Sequence, residues 1–155
     1  MALRVAALAA VLVVAAGWLL YVRAWRDTGA HPLAYRDLTR AVSPLRPPLA
    51  TERLFERRSQ LVEYLRRARP GSARPPAIDF GRDQALLVSP GPRSSTGYAV
   101  RVERVAEERG RIVVDLQELT PTLRNPGRAQ VTYPYRLLVF AKRDKPVYLT
   151  WAGRP

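Results

Sequence analysis

From Val5 to Val22 the chain runs 18 residues without a charge, VAALAAVLVVAAGWLLYV, between Arg4 on one side and Arg23 and Arg26 on the other. As a helix this segment spans roughly 27 Å, the hydrocarbon thickness of a bilayer. Trp18, Tyr21 and Trp25 gather at its C-terminal end, where amphipathic rings favour the headgroup region. Residues 1–25 are therefore expected to form a single-pass membrane anchor, with residues 5–22 in contact with lipid. A cleaved signal peptide is the rival reading, because Ala15-Ala16-Gly17 offers small residues to a peptidase. That cut would leave Trp18-Leu19-Leu20-Tyr21-Val22 as an apolar new N-terminus, which favours the uncleaved anchor. About 130 residues remain, enough for one modest domain.

Which side of the membrane holds that domain is left open by the charges. Arg4 and the α-amino group precede the segment, and Arg23, Arg26, Arg36 and Arg40 follow it. Read literally this holds the domain inside, whereas a short signal-anchor with a basic start argues the opposite. The whole chain carries 26 basic against 13 acidic residues, a net charge of +13. All but Lys142 and Lys145 of the basic residues are arginines, as a GC-rich or thermophilic genome also tends to produce. Residues 24–76 hold 11 arginines against five acids and residues 77–155 hold 13 basic against eight acidic residues, so neither half dominates. Nucleic-acid binders concentrate their positive charge on one stripe with interleaved aromatics, a pattern missing here.

Catalysis is poorly provided for. There is no cysteine and a single histidine, His31, in a loop-like His-Pro pair. This excludes thiolate zinc sites, cysteine nucleophiles and multi-histidine metal clusters. The serines at 43, 59, 72, 89, 94 and 95 lie in no Gly-x-Ser-x-Gly context, and phosphate-cradling glycine motifs are absent. No catalytic residue, metal ligand or cofactor is expected.

Past the anchor, Pro32, Pro44, Pro47 and Pro48 suggest a linker over 26–50, with one short helix at 33–42. The domain proper is expected over 51–155. Arg53-Leu54-Phe55-Glu56 reads as a strand, and Ser59 as the cap of a helix over 60–69 with Leu61, Val62 and Leu65 as its apolar stripe and Glu63 in its first turn. A single helix from Thr51 fits the periodicity nearly as well. Pro70-Gly71 ends it. The period then becomes that of strands: the run Ala85-Leu86-Leu87-Val88, a hairpin of 98–105 with 112–119, a segment 129–141 split by Pro134, and a last strand over 147–151. The fold class is mainly β with one α-helix (α+β), a small antiparallel β-sheet or sandwich behind the transmembrane helix.

Three signatures follow in order: Ile78-Asp79-Phe80, then Ser95-Thr96-Gly97-Tyr98, then Gln130-Val131-Thr132-Tyr133-Pro134-Tyr135. With Pro126-Gly127 between the last two, the sequence resembles the PrcB C-terminal domain family over roughly residues 52–143. Ser95 and Thr96 stand where that family has Thr and its first Gly. The resemblance implies a non-catalytic partner protein that binds, stabilises or restrains a protease at the cell envelope, with the domain outside the cytoplasm. Ser-Thr-Gly-Tyr is also similar to a loop of chagasin-like peptidase inhibitors.

The loop from Pro90 to Tyr98 has the chemistry of a recognition element: polar, glycine-containing and closed by an aromatic. Arg93, Ser95, Thr96, Gly97 and Tyr98 are the candidate partner-binding residues, and Thr132, Tyr133, Pro134 and Tyr135 a secondary set. Tyr98 can equally pack inward as the first residue of its strand, and Tyr133 and Tyr135 can cover a core or an edge. The expected function is a membrane-anchored protein-interaction module. The alternative is a basic adaptor held on anionic lipid or an acidic polymer by charge.

Overall fold

The computed structural model describes residues 29–68, 75–124 and 126–152, so the expected anchor lies outside the described residues. Among the described residues no helix is long and apolar enough to cross a membrane. The described residues form ten strands: β1 (His31–Pro32), β2 (Tyr35–Asp37), β3 (Thr51–Phe55), β4 (Asp83–Ser89), β5 (Arg93–Ser95), β6 (Ala99–Glu108), β7 (Arg111–Leu119), β8 (Ala129–Thr132), β9 (Arg136–Ala141) and β10 (Val147–Ala152). One helix, α1 (Arg58–Ala68), and a 3-10 turn over Thr39–Val42 complete them. The strands make two four-stranded sheets, ordered β1-β6-β7-β10 and β2-β9-β4-β3, and a two-stranded sheet β5-β8.

The second sheet is the middle layer. Its inner strands β4 and β9 alternate between two cores: Ala85, Leu87, Leu137 and Val139 face a cluster with Leu61, Leu65 and Ala68 of α1. Leu86, Val88, Leu138 and Phe140 face a second cluster with Val100, Val105, Ile112, Val114 and Leu116 of the first sheet. Burial on both faces is why the two strands read as unbroken apolar runs. The first sheet has one face in this core, so β6 and β7 alternate. A register shift between Val102 and Arg104 inserts Glu103 and turns Val105 back to the side of Val100.

α1 begins two residues earlier than its periodicity suggests, and Ser59 lies within it rather than capping it. The Gln60 side chain takes that role: its Oε1 accepts the backbone N–H of Glu56 (2.9 Å) and of Arg57 (3.2 Å). Glu63 therefore lies beyond the first turn, where it pairs with Arg66 and Arg67. The stretch expected as a linker over 26–50 enters the domain from His31 onward. β1 pairs with β6, β2 pairs with β9, and Val42 and Leu45 are buried. The prolines that exclude a long helix permit these short extended pieces.

The sheets are not wholly antiparallel. β10 runs parallel to β7, Val147 opposite Ile112, because β9 makes the return journey in the other sheet. Residues 31–37 close one edge of the sandwich by passing from sheet to sheet. At the other edge, Trp151 Nε1 of β10 donates to Glu52 Oε1 of β3 at 2.6 Å.

The ladders give the domain two ends. His31 lies opposite Glu107 and Asp83 opposite Ala141, so the turns at 80–82, 109–110 and 142–146 gather at the end where the described chain begins. We call this the proximal end. Residues 43–50, 90–98, 120–124 and 126–135 form the distal end, about 20 Å away along the seven residues of β4. At the proximal end Lys145 Nζ (2.6 Å) and Arg143 Nε (3.1 Å) donate to the Glu107 carboxylate. The Lys145 bond first, then the Arg143 bond, hold it below the ordinary carboxylate range.

Two outcomes follow from this packing. Phe140→Ala, emptying the inter-sheet core, is expected to cost about 3–5 kcal/mol by denaturant unfolding; a loss below 1 kcal/mol would contradict the two-faced middle sheet. Glu107 has a lower pKa folded than unfolded, so its stabilisation is present above the ordinary carboxylate pKa and lost as pH falls through the folded value. Glu107→Gln should flatten the dependence of Tm on acid pH, and an unchanged acid slope would remove the pairing from the account.

Candidate functional site

The two candidate segments, distant in sequence, meet in one ladder. β5 and β8 pair antiparallel with Arg93 opposite Thr132 and Ser95 opposite Ala129. Thr132 Oγ1 donates to the Ser95 carbonyl at 2.7 Å. The Thr96 N–H donates to the Arg128 carbonyl (3.0 Å), and the Arg128 N–H returns to Thr96 Oγ1 (2.9 Å). The segment 90–98 is thus a short strand and turn fastened to β8.

Ser89, fully buried, ties this turn to the start of β9: its Oγ donates to the Pro134 carbonyl at 2.8 Å and accepts the Gly91 N–H at 3.1 Å. Gly97 is required by space, since a Cβ there would stand 2.8 Å from Pro121 Cγ. Gly127, at φ +64°, sits against the same residue, and its own Cβ would lie 2.9 Å from the Gly97 nitrogen. Gly97 therefore lies against the Pro121 ring and Gly127 against the Gly97 backbone, approaches that a side chain at either glycine would block. Thr96 fits where the family has glycine, because no described non-glycine residue has positive φ.

Arg93 is turned inward. Its Nε and Nη2 donate to Glu118 Oε1 (2.5 Å) and Oε2 (2.9 Å), and its Nη1 to the carbonyls of Pro90 (3.0 Å) and Pro92 (3.2 Å). The Glu118 side chain is 3% exposed and that of Arg93 25%. The bond to Glu118 raises the Arg93 guanidinium above its ordinary value against the opposing effect of burial. Its Cζ also stands 5.8 Å from the ring centre of half-buried Tyr98. Of the five candidates in the turn, Arg93 is thus engaged with a buried carboxylate and Tyr98 lies against Arg93. Glu118 itself was legible, since it falls in phase with Ile112, Val114 and Leu116 on the inward face of β7 and so must be paired.

The secondary set lines a cleft of ≈ 440 Å³ with Val131, Thr132, Tyr133 and Tyr135 on one wall and Pro44, Leu45 and Arg46 among the residues opposite. Tyr135 also packs on the helix-side core, and Pro134 lends its carbonyl to Ser89. Sequence reasoning passed over the cleft's other wall, placed in the linker, and three exposed apolar side chains on the distal segments: Leu49 (73%), Val131 (61%) and Leu123 (102%). It also passed over the charge. Residues 43–50, 90–98 and 120–135 contain no Asp or Glu. Arg46, Arg124 and Arg128 are exposed there, and among the described residues no hydrogen bond or ion pair engages their side chains. Counting charge by halves of the chain hid this segregation, because the acid-free pieces come from three separate stretches. No group of three or more His, Cys, Asp or Glu that could hold a metal occurs among the described residues.

These features define a helix-backed β-sandwich with a loop-built, arginine-bearing distal end. Residues 85–141, from within β4 to the end of β9, match the family model described as PrcB C-terminal. The match falls inside the longer stretch that the motifs suggest and spans a little over a third of the chain. No curated protein and no solved structure gives a significant match.

The Arg93–Glu118 pair yields a direct test. Arg93→Ala leaves a buried carboxylate without its partner and is expected to cost about 2–4 kcal/mol, reduced from the fully buried case by Arg93's exposure. Adding Glu118→Gln should restore part of that loss. A double variant no more stable than Arg93→Ala would show that the pair is not coupled.

Proposed function

We propose that this protein is a non-catalytic, membrane-anchored interaction module that binds and regulates an envelope protease, by stabilising or inhibiting it. Residues 5–22 act as the anchor, the domain lies outside the cytoplasm, and the distal end is the contact surface. The observation that carries the reading is the match of residues 85–141 to the PrcB C-terminal family, whose members are associated with a bacterial protease complex. The polarity of the domain supports it. The described chain starts at the proximal end, beside the turns at 109–110 and 142–146, so an anchor before residue 29 holds that end toward the bilayer and turns the candidate residues away from it.

A second reading draws on the acid-free distal end: a basic adaptor that binds anionic lipid or an acidic polymer through Arg46, Arg124 and Arg128. Such binding is sequence-indifferent and fades as salt rises. A contact built on the distal apolar side chains is little screened.

Site-directed photo-crosslinking of the full chain in its native membrane separates the two. A photoreactive residue at Leu123, at the distal end, is expected to capture a protease in a salt-resistant adduct, and one at Arg109, at the proximal end, to capture lipid. Lipid adducts at Leu123, or protease adducts only at Arg109, would overturn the assignment of the contact surface.

A further inference from the structure

We infer that the distal end receives an extended acidic segment of a partner protein, which adds as a third strand along the open edge of β8. The inference rests on the interaction-module reading and specifies what that module recognises. Three independent features point to it.

First, β5-β8 is a two-stranded sheet, and among the described residues β8 has no ladder on its other edge. An open edge presents backbone N–H and C=O groups to any extended chain. Proteins usually blunt such an edge with a charge or a proline inside the strand. β8 reads Ala-Gln-Val-Thr and carries neither, and its first three residues are exposed.

Second, the cleft of ≈ 440 Å³ begins beside this strand, with Val131 and Tyr133 on one wall and Pro44 and Leu45 on the other. An added strand sends alternate side chains to one face, and the cleft offers that face a partly apolar seat. A strand of four residues gives few backbone bonds, so the side-chain seat and the charges must supply much of the affinity.

Third, the charge selects the occupant. Arg46 lines the cleft, Arg128 immediately precedes β8 and Arg124 is exposed on the same acid-free distal stretches, while Arg93 is neutralised by Glu118. A basic segment is repelled there and a neutral one leaves three cations without partners, whereas an acidic segment supplies them with carboxylates. Lipid headgroups match the charge but cannot use the open backbone edge, and the distal end points away from the end where the anchor enters.

The test uses the full chain in neutral detergent micelles and a labelled peptide, Ser-Glu-Val-Asp-Val-Glu-Ser, followed by fluorescence polarisation. The peptide is expected to bind, and its counterpart with lysine at each acidic position is not. Arg46→Glu combined with Arg128→Glu should weaken binding at least about tenfold with unchanged thermal unfolding, since neither side chain supports the fold. Two further peptides carry N-methyl groups on one or the other set of alternate amides, at the same charge. Only one should lose about tenfold, because alternate amides of a strand point to opposite edges. Equal binding by both methylated peptides would reduce the contact to charge attraction and overturn strand addition. Indifference to the arginine substitutions, absence of peptide binding, or displacement of the peptide by phosphatidylglycerol vesicles would each overturn the inference as well. A protease captured at Leu123 alongside a failed peptide experiment would leave the interaction module standing without this mode of recognition.

Discussion

Every layer of the domain is packed against the β4–β9 ladder. Its register, from Asp83 opposite Ala141 to Val88 opposite Arg136, decides which side chains face α1 and which face the first sheet. A slip of one residue would exchange the two sets and place Phe140 where Val139 now meets the helix. The same ladder fixes the ends of the molecule, because β3 and β2 pair with it and β1 precedes β2 by two residues. Edge closure by residues 31–37 and by the Trp151–Glu52 bond then joins the first sheet to a middle sheet already set.

This dependence explains how far the sequence could be read. The unbroken apolar runs at 85–88 and 137–140, the alternation of 112–116 and the break at Pro134 are local consequences of burial, and each is visible in a window of a few residues. The helix was legible for the same reason, although its cap was not: Gln60 reaches back to Glu56 and Arg57, while Ser59 offered the commoner capping chemistry at a plausible place. The direction of β10 and the entry of 31–47 into the domain were hidden because both are settled by pairing across the chain. Pro32 in β1 and Pro44 and Pro47 in the irregular stretch before β3 look the same in sequence as prolines of a linker.

The site divides along the same line. Gly97 and the Thr132–Tyr135 segment stood out by composition and do meet at the distal end, yet composition could not tell an inward arginine from an outward one. Arg93 looked like a contact residue because it sits in a polar turn. Its partner, Glu118, lies 25 residues later on β7. Arg46, Arg124 and Arg128 attracted no notice among 24 arginines, and they become distinctive only when folding removes acids from their surroundings.

The two kinds of arginine have different consequences for recognition. Arg93, Ser89 and the stacked Gly97, Pro121 and Gly127 hold the backbone of the distal end in place before anything binds, so little conformational entropy is left for this side of an interface to lose. Arg46, Arg124 and Arg128 are exposed, and in the proposed contact their charge would speed encounter and reject wrong partners more than add affinity. On the proposed reading, selectivity falls to the exposed cations and shape to the buried pair. If the distal end is the contact surface, a substitution at Arg93 would disturb binding through the frame, at a cost in stability, whereas one at Arg128 would alter which partner is admitted while the fold stays as it is.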